Sequence, residues 1–183
     1  MAIVKDCVHR FIHMSPLCRA FADTPEFQRL REIRQLGPVY LVYPGAVHTR
    51  LEHSFGVMHL AGEVVDVLRA SGVQVSAREK DLVQLAGLLH DVGHVAYSHM
   101  LDHMLRAAGH AGHEERSVEL VDRINARLVY RASTGESGES GESVESAFDP
   151  LSPTEVATVQ RMIVGAPYDK KIEFRTVRER DAA

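Results

Sequence analysis

The chain has 183 residues, 45% of them hydrophobic and 25% charged, a composition typical of one globular domain with or without an appendage. Its formal net charge of −4 at pH 7 excludes a basic field over the whole surface, so there is no strong signal for nucleic-acid binding. No apolar run approaches the ~18 residues that a membrane span needs. Cys7 and Cys18 form no C-x-x-C pattern and fit a reducing compartment, so we expect a soluble, intracellular protein.

Helices are predicted through most of the chain, which makes the expected fold class all-α. TPE at 24–26 combines an N-cap, a first-turn proline and an acid. It predicts a helix through EFQRLREIRQL that the Gly-Pro pair at 37–38 ends. VYLVYPG is predicted as an extended loop or a small strand, and a long helix follows from about Arg50 to Ala70.

Three more helices complete the predicted core, which spans residues 1–131. SARE at 76–79 is a capping box and begins a helix whose apolar stripe leads into His90. Gly93 is expected to break that helix just beyond the His-Asp pair. Further helices are predicted near 98–108 and 113–130.

The composition changes after the core. Three tandem GES units and the absence of Lys and Arg predict a flexible, acidic linker over residues 132–151, with an acidic docking tail as the alternative. A second capping box, SPTE at 152–155, predicts a short helix. Residues 152–183 are therefore predicted to form this helix and a short C-terminal tail.

Histidines are concentrated in one part of the chain and predict a metal site. His90 and Asp91 lie together at a helix end, and imidazole with carboxylate suits iron, zinc, manganese or nickel rather than calcium. His53 begins the preceding long helix, which is expected to pack antiparallel and bring its first turn beside His90. A buried histidine that is merely satisfied in the core is the alternative, but the combined pattern favours a divalent transition metal.

The motifs HTRLEHS, LLHDVGH, SHMLD and HEERS, in this order, resemble the HD superfamily of metal-dependent phosphohydrolases. DTPEFQRLREIRQLG and YPGAVHTRLEHSFGVMHLAG further resemble the SAM- and HD-domain deoxynucleoside triphosphate triphosphohydrolases, and the similarity runs from about Ile3 to Ile124. This resemblance implies a compact helical bundle. It also implies a reaction in which a metal-activated water attacks the α-phosphorus of a deoxynucleoside triphosphate (dNTP) and releases deoxynucleoside and intact triphosphate.

The resemblance also implies roles for individual residues. His99 matches the histidine that protonates the departing 5′ oxygen, and Arg50 matches a phosphate-binding arginine. Asp102 and Glu114 match carboxylates that orient such a histidine. The implied metal ligands are His53, His90 and Asp91. The implied catalytic residues are His94, His99, Asp102, His113 and Glu114. The implied substrate-binding residues are Gln35, Leu36 and Arg50.

The same resemblance implies an activating nucleotide site at a subunit interface, and hence a homo-oligomer. Asp23, Gln28 and Arg31 match the guanine-reading residues, so GTP or dGTP is the implied activator. Lys5 and Ala2 depart from the pattern, because the family usually has an asparagine and a lysine there.

The resemblance is incomplete at its C-terminal side. The family's fourth metal ligand is an aspartate on a helix well beyond MIVG at 162–165, accompanied by a tyrosine that helps exclude ribonucleotides. The sequence ends at Ala183, before such a helix, and Asp169 is the nearest substitute ligand. Four hypotheses follow: a dNTP hydrolase, a non-catalytic regulator that binds nucleotide or a full-length homologue, a nucleotidase acting on monophosphates, and a gene fragment. The retained histidines favour the dNTP hydrolase.

Overall fold

A computed structural model describes residues 2–134 and 148–165. The described chain is predominantly helical, which confirms the all-α prediction, with one small hairpin that the sequence reasoning missed. The strands are β1 Ala2–Asp6 and β2 Arg10–Met14. The helices are α1 Pro16–Ala22, α2 Pro25–Gln28, α3 Arg50–Ala70, α4 Ala77–Leu89, α5 His99–Ala107, α6 His113–Thr134 and α7 Pro153–Val164. Residues 135–147 of the predicted linker and residues 166–183 of the tail, which include Asp169, lie outside the described residues.

The helix predicted through EFQRLREIRQL is wrong beyond its first turn. α2 has four residues, a 3-10 turn follows over Arg29–Glu32, and Ile33 is extended. Long-range contacts override the local helical propensity here, because the Ile33 carbonyl accepts from the backbone N–H of Arg50 at 2.8 Å. VYLVYPG likewise forms neither a strand nor an extended loop throughout, since residues Gly37–Leu41 make a 3-10 turn.

α3 and α4 form an antiparallel pair that confirms the predicted arrangement. Lys80 near the start of α4 contacts Asp66 near the end of α3 at 2.6 Å, while the His53 and His90 rings meet at the opposite end. A Cβ at Gly87 would stand 3.3 Å from the carbonyl oxygen of Val57, so this glycine lets the two backbones approach closely. The pair therefore brings the first turn of α3 beside the end of α4.

An apolar core within the described residues packs this pair against the N-terminal elements. Phe27 and Phe55 meet edge to face with ring centroids 5.4 Å apart. Each fully buried large apolar side chain contributes roughly 1.5–3 kcal/mol relative to exposure. The largest fully buried apolar side chains are Phe21, Phe27, Ile12, Leu30, Met58, Leu85, Leu88, Leu89 and Ile124.

α7 packs against α4 and α6, and its capping box confirms the prediction made from SPTE. The Asn125 side chain bonds both backbone groups of Leu151, and Arg78 bonds Glu155 at 2.6 Å. α6 continues to Thr134 and therefore extends into the span predicted as linker. None of the helices in residues 2–134 and 148–165 combines the length and apolar composition required to cross a membrane.

Candidate metal centre

The turn after α4 presents the His-Asp pair because α6 closes over it. The Ser117 hydroxyl donates to the carbonyl oxygen of His90 at 2.8 Å and accepts from the backbone N–H of Gly93 at 2.9 Å. These bonds satisfy backbone groups that a helix end would otherwise leave unpaired. A Cβ at Gly93 would lie 2.5 Å from Ser117 N and closer still to the His113 carbonyl oxygen. Close packing of α6, more than freedom of the backbone, therefore requires this glycine.

The three predicted metal ligands, His53, His90 and Asp91, converge and are called the metal triad below. The Nε2 atoms of His53 and His90 lie 3.2 Å apart. Asp91 Oδ2 lies 3.5 Å from the first and 3.4 Å from the second. His90 Nδ1 donates to the Gly87 carbonyl oxygen at 2.8 Å, which leaves Nε2 as the ligand atom. Two imidazole nitrogens and one carboxylate facing each other fit a divalent transition ion.

The surroundings of the triad favour the metal-binding protonation states of His53 and Asp91, which are neutral imidazole and ionised carboxylate. Burial lowers the pKa of His53, against the opposing charge of Asp91, and so favours neutral imidazole. Burial alone would raise the pKa of Asp91, but its bond to His90 and the charges of His90 and Arg50 hold that pKa well below its usual range. For His90 the burial effect is outweighed by Asp91, which raises the His90 pKa. A bound cation competes with that proton.

Arg50, predicted to bind substrate phosphate, is buried beside the triad rather than solvated. Its guanidinium bonds Asp91, and its Nε donates to the Ser98 hydroxyl at 3.0 Å. Burial lowers the pKa of Arg50, while Asp91 opposes this effect. Tyr97 and Ser98 have φ values of 61° and 54°, a backbone conformation that costs energy for such residues. This strained turn leads directly into His99 at the start of α5.

A second group, His94, His99 and His113, forms the histidine cluster on the other side of Asp91. The ring of His94 stacks on His113 at 4.0 Å and meets His99 edge-on at 4.8 Å. His94 is fully buried, and neither ring nitrogen has a hydrogen-bond partner. Burial, reinforced by the Arg50 charge, lowers its pKa to about 3. Because His94 Nε2 is 3.4 Å from Asp91 Oδ1, this aspartate touches both the triad and the cluster.

The carboxylate of Asp102 bonds His113, whereas the resemblance implied that it orients His99. Asp102 Oδ2 accepts from His113 Nδ1 at 2.9 Å, and Oδ1 accepts from Arg116 at 2.6 Å. Glu114 is exposed, with its carboxylate 3.7 Å from Arg106, so among the described contacts it orients no histidine. Sequence reasoning missed Arg116, which stands three positions after His113 in HEERS and therefore on the same face of α6.

The predicted substrate residues Gln35 and Leu36 lie beside Arg50. The Gln35 carbonyl oxygen is 3.5 Å from the Arg50 guanidinium, and its side-chain Oε1 is buried without a partner. Leu36 is 46% exposed. An open depression of about 560 Å³, lined in part by Gly37 and Tyr97, adjoins this segment. Of the two predicted substrate residues, Leu36 is therefore the one whose side chain reaches the surface.

The three residues predicted to read an activating nucleotide also come together. Asp23, Gln28 and Arg31 line a cavity of about 410 Å³ together with Lys5 and other residues of the hairpin. The Gln28 side chain already makes two hydrogen bonds within the chain. Its Nε2 donates to the Ala22 carbonyl oxygen at 2.7 Å, and its Oε1 accepts from Arg31 at 2.8 Å.

Comparison with known proteins identifies relatives of this site. The HD domain family matches residues 50–160, which contain the whole triad and cluster. The deoxynucleoside triphosphate triphosphohydrolase SAMHD1 of Danio rerio is 45% identical over 130 residues, covering 68% of this chain and 21% of that protein. The human SAMHD1 is 49% identical over 104 residues, covering 56% and 17%. The SAMHD1 homolog of Dictyostelium discoideum is 35% identical over 127 residues, covering 67% and 25%. The chain thus spans a quarter or less of these relatives.

Proposed function

The chain belongs to the HD domain family, and from that premise we propose that it is a metal-dependent hydrolase that cleaves dNTPs to deoxynucleoside and triphosphate. The 45% identity to a deoxynucleoside triphosphate triphosphohydrolase over 68% of this chain supports this substrate class over a monophosphate.

One observation supports the proposal most strongly: Asp91 lies between the two histidines of the metal triad and the three histidines of the cluster. Its Oδ2 faces His53 and His90, while Oδ1 faces His94. A triad of three ligands leaves coordination positions for water and a phosphate oxygen. When bound, the metal lowers the pKa of a coordinated water and offsets phosphate charge.

Arg50 and His99 are assigned the charge stabilisation and the proton transfer that the metal does not supply. Arg50 holds Asp91 in place and adds positive charge beside the phosphate position. His99 is the exposed member of the cluster and is assigned the proton transfer to the departing 5′ oxygen. Burial and the nearby Arg50 lower the His99 pKa in the free protein. A triphosphate bound beside it brings negative charge that raises this pKa toward the range of a general acid.

The cavity lined by Asp23, Gln28 and Arg31 supports a second part of the proposal, activation by GTP or dGTP in a homo-oligomer. A carboxylate and an amide can pair with a guanine edge, which fits the guanine-reading role implied for these residues. Because Gln28 is bonded to Arg31, nucleotide binding must exchange that bond for contacts with the ligand.

The proposal is tested by product analysis. Protein of known metal content is incubated with each dNTP, with and without GTP, and the products are separated by ion-exchange chromatography. Deoxynucleoside and intact triphosphate are expected, and His90→Ala should abolish them. Release of pyrophosphate or single phosphates would contradict the reaction, while nucleotide binding without turnover would favour a regulator.

A further inference from the structure

We infer that Arg116 is a positioning residue, which fixes the ring of His113 through Asp102 and ties it to the turn that carries His94. The kinetic part of this inference rests on the proposed function. The geometric part does not, because it concerns contacts within the chain.

Arg116 joins the segments that carry the histidine cluster. Its Nε donates to the carbonyl oxygen of Gly93 at 2.9 Å, in the turn between Asp91 and His94. Its Nη2 donates to Asp102 Oδ1 at 2.6 Å, one turn beyond His99 on α5. The same side chain also bonds the Ala111 carbonyl oxygen just before α6. One guanidinium therefore fixes the turn, α5 and the start of α6 relative to each other.

The contact with Asp102 determines how His113 is held. An ionised carboxylate only accepts hydrogen bonds, so the 2.9 Å contact from His113 Nδ1 requires the proton on Nδ1. The other ring nitrogen, Nε2, then carries the lone pair in the neutral form. The side chain of Asp102 is 5% exposed and that of Arg116 21%, so water screens this pair weakly. Arg106 adds a more exposed contact to the same carboxylate at 3.3 Å.

A planar fork is needed for this connection. The Gly93 carbonyl and the Asp102 carboxylate are bonded by two different nitrogens of one rigid guanidinium. A lysine ammonium at this position carries the charge but lacks the fixed fork. Arg116→Lys therefore separates the role of charge from the role of geometry.

The first test reads the tautomer of His113 directly. Side-chain ¹⁵N NMR of the metal-free and Zn²⁺-loaded protein should show His113 protonated at Nδ1. In Arg116→Met we expect a mixture of tautomers, and in Arg116→Lys an intermediate spectrum. Arg127→Met is the matched control, because Arg127 on the same helix makes an ion pair with Glu26 at 2.5 Å remote from the cluster. An unchanged His113 spectrum in folded Arg116→Lys would overturn the inference.

The second test separates positioning from general stability. Loss of partners that orient active-site groups typically costs about 10–100-fold in activity, and we expect this loss in kcat for Arg116→Met. KM should change less than about threefold, since the substrate contacts remain. If Arg116 acts through Asp102, the double variant with Asp102→Asn will be no slower than Asp102→Asn alone. Multiplying effects would show an independent role and overturn the inference. If the protein has no dNTP hydrolase activity at all, the tautomer measurement still decides it.

Discussion

The Nε2 atoms of His53 and His90 lie 3.2 Å apart although the residues are 37 positions apart in sequence. Two imidazole nitrogens at this distance share at most one proton, and the second His90 nitrogen already donates to a carbonyl. A cation between them gives both lone pairs a partner. The antiparallel packing of α3 and α4 thus creates a site that neither helix has alone.

We predict that this site contributes to stability when metal is bound. Chelation should lower Tm, and a metal present at 100 times its Kd should raise the free energy of unfolding by about 2.7 kcal/mol. His53→Ala should lose both stoichiometric metal and this stabilisation. Metal content by elemental analysis and thermal unfolding with and without chelator provide the measurements.

His59→Ala serves as the control for this prediction, because His59 lies on the same helix but outside the metal triad. It should retain stoichiometric metal. If His53→Ala also retained it, the assignment of the triad would be wrong.

We predict that Gly93→Ala destabilises the protein by about 3 kcal/mol, the upper part of the usual range for overpacking. The added Cβ would meet backbone atoms of α6, which cannot rotate away as a side chain can. Gly45→Ala is the control, because nothing lies within 4 Å of its added Cβ, and it should stabilise by about 0.4–1 kcal/mol. Urea unfolding measures both changes, and equal effects would contradict the close packing of α6 on the turn.

Acid should weaken the attachment of α7 to α4. The bond from Arg78, opposed by burial and assisted by Ser152, lowers the pKa of Glu155 from 4.5 to about 2. In the unfolded chain the carboxyl takes up its proton near pH 4.5, whereas in the folded chain it stays ionised until about pH 2. Its contribution is therefore complete above pH 4.5 and is lost as the pH falls from 4.5 to 2.

At pH 7 we expect Glu155→Gln to cost about 1–2 kcal/mol, since the carboxylate is partly screened by water. The difference from the unmodified protein should shrink below pH 4.5 in urea unfolding measured across this range. Glu119→Gln, at an exposed glutamate on α6, is the matched control and should cost less than about 0.5 kcal/mol at pH 7. A difference for Glu155→Gln that stayed constant from pH 7 to 2 would refute the role of its charge.

Features encoded within a few neighbouring residues could be predicted from the sequence. The capping boxes at Ser76 and Ser152 locate the starts of α4 and α7, because all their partners lie within three positions. The 3-10 turn after α2 could not be predicted, since Arg29 there bonds the carbonyls of Val92 and His94, more than 60 positions away.

In the candidate site, too, local features could be predicted from the sequence and long-range contacts could not. Residue type and helix position supplied the members of the triad, and the resemblance supplied the cluster. The fold brings each set together. The partners of Asp102 depend on how α5 and α6 meet, and sequence spacing does not fix that. For the same reason Arg116 resembles a solvated surface charge until its contacts with Gly93 and Asp102 are seen.

Asn125 supports the last prediction, because it anchors the segment that precedes α7. Its side-chain amide donates to the Leu151 carbonyl oxygen at 3.1 Å and accepts from the Leu151 backbone N–H at 3.2 Å. Both residues are buried, so Asn125→Ala leaves two backbone groups without partners and should cost about 2–3 kcal/mol in urea unfolding. Gln160→Ala removes the bonds from α7 to the Val118 carbonyl oxygen and the Asp122 carboxylate on α6, but it leaves no fully buried backbone group without a partner and should cost about 0.5–1 kcal/mol. Limited proteolysis should cleave next to Leu151 faster in the Asn125 variant alone, because only that variant frees the buried segment. If both variants lost the same free energy of unfolding, the burial of the bonds between Asn125 and Leu151 would add nothing to stability, and this prediction would be wrong.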